Sequence, residues 1–236
     1  MSYRILAYHA VGRYPRLLPS GIGTSPAEFA RQLDWLLSTG YHVVPLDALL
    51  GALAAGRTPP APDVAITFDD GYVDCLEHAV PALIQRGLPA TFFVSAGLLG
   101  QDMPLDHTAL PLFTPAQVTK LAGLPGITIG SHGDTHRALN GLPADALARE
   151  LSDSRRRLED LTGRPVRWLS YPFGAHDAAV AAAARAAGYE DALSVWTRAE
   201  GPFARLRIPV HTHDGRVRFA LKLSRAYFPV KRWLRW

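Results

Sequence analysis

Two short stretches of this 236-residue chain carry side chains that could hold a cation and put it to use. The first is Thr67-Phe68-Asp69-Asp70-Gly71-Tyr72, which begins where the apolar run Val64-Ala65-Ile66-Thr67-Phe68 ends. Adjacent carboxylates repel and raise one another's pKa, so such a pair is best tolerated beside a bound cation. Asp-Asp-Gly also suits a turn with a helix N-cap, and in isolation that reading is the simpler one. The second stretch is Gly130-Ser131-His132-Gly133-Asp134-Thr135-His136. On a helical turn, histidines four residues apart share a face and can give two nitrogens to one divalent ion. Together the stretches offer two imidazole nitrogens and one carboxylate oxygen, with positions left open for water and catalysis.

Composition narrows the chemistry. Cys75 is the only cysteine, which excludes an intrachain disulfide and a Cys-rich metal centre and leaves histidine and carboxylate ligands. Such a set accepts Zn2+, Co2+, Ni2+ or Fe2+, with zinc the default. The start of the chain shows neither a long apolar run nor a small-residue cleavage site, so a cytoplasmic location is expected. The net charge of +4 is sharpened in residues 222–236, where Lys222, Arg225, Lys231, Arg232 and Arg235 alternate with Tyr227, Phe228, Trp233 and Trp236. That segment could lie against anionic lipid headgroups as a peripheral membrane contact, or form a terminal helix that packs its aromatics on the body. No nucleic-acid-binding motif accompanies the charge, so no nucleic-acid partner is expected. The oligomeric state is not legible.

The elements that must position these groups alternate. Short runs rich in β-branched and aromatic residues predict strands at Arg4–Tyr8, His42–Val44, Val64–Phe68, Thr91–Val94, Thr128–Gly130, Trp168–Tyr171 and Ala192–Val195. Helical patterns fall between them. One opens on the capping sequence Ser25-Pro26-Ala27-Glu28 and runs to about Ser38; others span Asp74–Arg86, Thr114–Leu121, Ala144–Leu161 and Asp177–Ala187. The proline cluster in Arg57–Asp63 reads as a connection, and Leu98–Phe113 as a long irregular loop of the kind that borders sites. The alternation predicts an α/β protein with a parallel sheet, and residues 1–236 read as one domain.

With these motifs in hand, the chain resembles the polysaccharide deacetylase family, carbohydrate esterase family four, whose signatures are Thr-Phe-Asp-Asp-Gly and His-Ser/Thr-x-x-His. Here they stand as Thr67–Gly71 and His132–His136. The resemblance implies a distorted (β/α) barrel of about seven parallel strands, with the site at the strands' C-terminal ends. It implies Asp70, His132 and His136 as metal ligands, and Asp69 as the general base that takes a proton from the attacking water. The hydroxylated residue usual after the first histidine is Gly133 here, a gap that Ser131 or Thr135 could fill.

Ser170-Tyr171-Pro172-Phe173-Gly174 resembles the family's Arg-x-Pro-Tyr motif, with serine in place of the arginine that orients the catalytic aspartate. On this reading the orienting role is lost and only a backbone N–H for the oxyanion survives, at Phe173, with Tyr171 and Trp196 beside the substrate. Tyr8-His9-Ala10-Val11 resembles the opening of the subgroup that deacetylates poly-β-1,6-N-acetylglucosamine, which implies His9 as general acid, with His211 in reserve. The expected function is metal-dependent removal of N-acetyl groups from a polysaccharide or glycolipid sugar. The alternatives are an amide hydrolase with a non-sugar substrate and a catalytically silent glycan binder.

Overall fold

The computed structural model describes residues 3–13, 21–57, 62–105, 108–195, 200–224 and 227. In chain order the first elements are β1 (Tyr3–Tyr8), β2 (Ala10–Val11), β3 (Gly23–Thr24), α1 (Pro26–Ser38), β4 (His42–Val43) and α2 (Leu46–Ala54). There follow β5 (Asp63–Phe68), α3 (Asp74–Glu77), α4 (Ala79–Gln85), β6 (Ala90–Val94), β7 (Asp102–Leu105), β8 (Thr108–Pro111), α5 (Pro115–Ala122) and β9 (Ile127–Ser131). The last are α6 (Ala144–Thr162), β10 (Trp168–Ser170), α7 (Ala178–Ala186), β11 (Asp191–Ser194), β12 (Arg205–Leu206), β13 (Ile208–Pro209) and α8 (Arg216–Leu223).

The main sheet is parallel throughout and runs β12-β11-β10-β9-β6-β5-β1-β13, with β4 paired to β5. Its two outer members, β12 and β13, are consecutive in sequence and separated by Arg207 alone. Arg205 and Leu206 pair with Leu193 and Ser194 of β11, while Ile208 and Pro209 pair with Leu6 and Ala7 of β1. One short segment therefore spans both edges and nearly closes the sheet into the expected barrel, with the seam at Arg207. Drawing the two edges onto one segment leaves little open edge to template aggregation.

Strand alternation sorts the side chains. Leu6, Tyr8, Val64, Ile66, Phe68, Phe92, Ile129 and Leu169 pack outward under the helices, while Ile5, Ala65, Phe93, Trp168 and Leu193 fill the interior. Continuing the inward parity along β5 through Ala65 and Thr67 aims Asp69 into the barrel. Gly130 marks the tightest point: a Cβ there would lie 2.5 Å from the Phe93 ring and 3.2 Å from the Trp168 carbonyl.

Every strand expected from sequence is present, and helix starts follow their caps. Ser25 accepts the Glu28 N–H, Thr114 and Gln117 form a reciprocal capping box, and Asp177 accepts the Val180 N–H. Two expectations need correction. The helix expected over Asp74–Arg86 is broken at His78 into α3 and α4, because Pro81 has no N–H to give the Glu77 carbonyl and its ring crowds that turn. The stretch Leu98–Phe113, expected as irregular, contains the antiparallel hairpin β7–β8, anchored by Met103, Leu105 and Leu112 in a small buried cluster with Tyr72 and Ala10. No helix among the described residues is long and apolar enough to cross a membrane.

Candidate metal centre and catalytic cleft

The groups singled out by sequence gather at the C-terminal ends of the strands, where barrel sites form. Asp69 and Asp70 follow β5, His132 follows β9, Ser170 ends β10 and His9 follows β1. All but the fully buried Ser170 face a cleft of about 560 Å³ whose walls include Met103, Pro104 and Leu105 of the hairpin, Ile22, Phe173 and Val195.

Asp70 Oδ1 lies 3.3 Å from His132 Nε2 and 3.1 Å from His136 Nε2. These three side chains present one donor atom each within 4.8 Å of one another. Although close to both rings, Asp70 Oδ1 is buried and has no hydrogen bond of acceptable geometry. Lone pairs that converge on a point instead of on one another are what a cation requires. Two ligand atoms each about 2.0–2.1 Å from a zinc-like ion stand roughly 2.9–3.4 Å apart at angles from 90° to tetrahedral, so both Asp70–histidine separations fit a shared divalent ion.

The electrostatics agree. Burial alone would lift the Asp70 carboxyl, but the facing imidazoles of His132 and His136 hold it well below the usual carboxylate range. Burial pushes the His132 ring down while the Asp69 and Asp70 carboxylates push it up by more, so this pocket draws positive charge. The backbone is held against its preference here too. Asp70, His136 and Phe173 sit at φ 71°, 53° and 59°, three of the four non-glycine residues in the left-handed region among the described residues. Strain concentrated this way is characteristic of functional sites.

Surrounding groups fix these candidate ligands. His132 Nδ1 is 2.8 Å from the Ser170 carbonyl, which makes Nδ1 the donor and leaves Nε2 as the free lone pair. Of the two hydroxyls that could stand in for the one missing at Gly133, that of Ser131 accepts the Gly133 N–H and touches Ser154 of α6, while that of Thr135 is given to Glu150. Glu150, also on α6, accepts the N–H groups of Asp134 and Thr135 and the Thr135 hydroxyl, bracing the loop that carries His136.

Asp69 is 3% exposed, and its partner was not anticipated. Arg207 Nη1 and Nη2 donate to Asp69 Oδ1 and Oδ2 at 2.7 and 2.6 Å, and Ser170 Oγ adds a contact at 3.3 Å. The expectation that serine at 170 leaves the aspartate without an arginine is therefore wrong: the guanidinium arrives from the barrel seam instead of from β10. Burial lifts the Asp69 carboxyl, and Arg207, with His132 and His9, more than offsets this and leaves it below its ordinary value. The clue in sequence was the alternation Arg205-Leu206-Arg207-Ile208, a strand with a cation on its inward parity.

The remaining expected residues divide. His9 lines the cleft; its Nδ1 is buried without a partner, and burial lowers its pKa more than Asp70 and Asp69 raise it. His211 is absent from the cleft lining and instead lies 3.0 Å from Lys222 Nζ beside buried Asp214, which makes it part of a latch on the last turn. Tyr171 borders the cleft, but its hydroxyl is committed to the Phe203 carbonyl at 3.0 Å and its ring stacks on His176. Phe173 is 63% exposed, with its ring 4.8 Å from that of His136. In its turn Tyr171, Gly174 and Ala175 spend their N–H groups on backbone carbonyls, whereas that of Phe173 has no partner among the described residues. Trp196 and most of segment 222–236 lie outside the described residues.

A sequence model of the polysaccharide deacetylase family matches residues 56–192, more than half of the chain and spanning both motifs. The chain belongs to the polysaccharide deacetylase family. It is 29% identical over 211 residues to a protein of Bacillus subtilis (strain 168) named "Putative polysaccharide deacetylase YxkH", covering 87% of this chain and 70% of that one. Among solved structures, the Streptococcus pyogenes deacetylase PplD in complex with acetate superposes with a TM-score of 0.80 at 22% identity, covering 95% of this chain and 99% of that one. IcaB from Ammonifex degensii gives 0.80 at 24% identity, covering 94% and 97%. These likenesses carry the polysaccharide deacetylase fold to nearly the whole chain. Both His9 and Arg207 fall outside the span matched by the family model.

Proposed function

We propose that this polysaccharide deacetylase is a metal-dependent hydrolase that removes N-acetyl groups from a sugar in a polysaccharide or glycolipid. The observation that carries the reading is the buried Asp70 oxygen, 3.1–3.3 Å from two imidazole nitrogens and hydrogen-bonded to neither, with a second carboxylate in the next residue. Asp70, His132 and His136 would hold the ion. When bound, a zinc-like ion polarises the acetamide carbonyl and lowers the pKa of water toward neutrality.

The protein's own groups supply the rest. Asp69, held in one orientation by Arg207 and Ser170, accepts the proton of the attacking water. The N–H of Phe173 points its partial positive charge at the oxyanion as it develops; one such donor is worth about 2.7–4 kcal/mol. His9, in the cleft at the end of β1, gives its proton to the leaving amine. A ring whose pKa is held down by burial is a ready donor once protonated. Products are acetate and a free amino sugar.

The test is acetate release from N-acetylglucosamine oligomers by zinc-loaded protein, with and without chelator, on wild type and Asp69→Asn. The variant should lose about 100-fold or more in kcat while keeping its zinc. Acetate release that survives chelation, or zinc lost together with activity in Asp69→Asn, contradicts the assignment.

A further inference from the structure

We propose that Arg207 is the positioning residue for the Asp69 carboxylate, and that through it the site is completed only when the barrel closes. The inference deepens the hydrolase reading and rests on it. Arg207 is 1% exposed, and its two Nη atoms take both oxygens of Asp69. Nη2 also reaches Ser170 Oγ at 2.7 Å, Nη1 reaches Thr67 Oγ at 3.1 Å, and the guanidinium lies 5.5 Å over the Phe93 ring. Yet Nε is buried with no partner. A buried ion pair is weak evidence for stability, and one that leaves a donor unsatisfied is weaker still. What the arrangement gains is orientation: a paired fork fixes the carboxylate plane in a way a single cation does not.

The location adds the second half. The Arg207 N–H donates to the carbonyl of Ser194, the last residue of β11, and the residues that follow register against Leu6 and Ala7 of β1. The backbone that shuts the seam and the side chain that fixes Asp69 are the same residue. An opened seam thus frees the carboxylate to turn away from the metal ligands.

The contact between Nη2 and Ser170 also makes the pair reciprocal. A side chain larger than serine at 170 would occupy the volume of the guanidinium, whereas arginine there with serine at 207 would bring one guanidinium to the same carboxylate from β10. The experiment compares wild type, Arg207→Ser, Ser170→Arg and the double variant, zinc-loaded, in acetate release from the N-acetylglucosamine pentamer and in urea midpoint.

Each single variant should lose about 100-fold in kcat, with KM changed less than about threefold. The double variant should recover at least about tenfold over Arg207→Ser. Arg207→Lys keeps a cation for folding without the fork, so its kcat should fall about tenfold at a nearly unchanged urea midpoint. A double variant no more active than Arg207→Ser, or an Arg207→Lys protein with wild-type kcat, overturns the proposal. Should wild type itself release no acetate, the hydrolase reading fails instead. The midpoints then decide: a double variant more stable than both single ones upholds the reciprocal placement, and one no more stable than either overturns it.

Discussion

Glu150 touches none of the three proposed metal ligands, yet the affinity of the centre should depend on it. Its side chain is 9% exposed and faces the loop between His132 and His136. Oε2 accepts the Asp134 and Thr135 N–H groups, each at 3.0 Å, and Oε1 accepts the Thr135 hydroxyl. These three bonds hold the turn in which His136 sits at φ 53°, a conformation a histidine does not choose on its own. Bonds to a charged acceptor contribute about 1.5–3 kcal/mol each, and the lower end applies where water can replace the lost partner, as at this partly buried loop. Glu150→Ala removes all three, whereas Glu150→Gln keeps the shape and loses the charge. Losing such an outer partner typically costs 10–100-fold in metal affinity, about 1.4–2.8 kcal/mol. The expected series is therefore roughly tenfold weaker zinc binding for Glu150→Gln and roughly a hundredfold for Glu150→Ala. Competitive titration against a chromophoric chelator reads this directly, with urea denaturation of the metal-free proteins as a control for folding. A folded Glu150→Ala protein that binds zinc as tightly as wild type would refute the reasoning.

Other consequences are separable. His9→Gln should reduce kcat by about 100-fold or more with zinc retained, while His211→Gln should leave kcat within about twofold; the opposite ranking would move the acid to the latch. Gly130→Ala forces a Cβ to 2.5 Å from Phe93, so thermal unfolding should register a loss of about 1–3 kcal/mol, and an unchanged midpoint would show that the interior yields more than the packing suggests. The Asp69 carboxyl titrates below its ordinary value, so it stabilises the fold above that value and loses the contribution as pH falls through the depressed one. Metal-free wild type should accordingly hold a stability advantage over Asp69→Asn at about pH 5 and lose it progressively below about pH 4. An advantage that persists undiminished down to the acid unfolding limit would contradict the assignment.

The barrel was readable because its strands are local signals. Runs such as Val64–Phe68 carry their own β preference, and the carboxylates and histidines that matter follow such runs directly. What escaped notice depends on distance. Arg207 lies 138 residues from Asp69, and an arginine on a short strand near a basic C-terminal region reads as a solvated edge until the sheet is known to close there. The hairpin β7–β8 is hard to see because Pro104 and Pro111 depress strand preference, and it stands only because Met103, Leu105 and Leu112 find a buried patch against Tyr72. The break at His78 follows from Pro81, a signal that was present and outweighed by the apolar pattern around it. Ser170 illustrates the limit of motif logic: the motif locates a position, while the charge it normally carries can come from another strand.

The central claim is that Asp70, His132 and His136 converge on one cation with Asp69 beside it and outside its ligand shell. Zinc K-edge absorption on the loaded protein, compared with Asp70→Ala and Asp69→Asn, tests it most directly. Wild type and Asp69→Asn should give the same spectrum, with two imidazoles and light-atom ligands at about 2.0–2.1 Å, and Asp70→Ala should bind little or no zinc. An Asp69→Asn spectrum that loses a ligand, or an Asp70→Ala protein with an unaltered one, would contradict it.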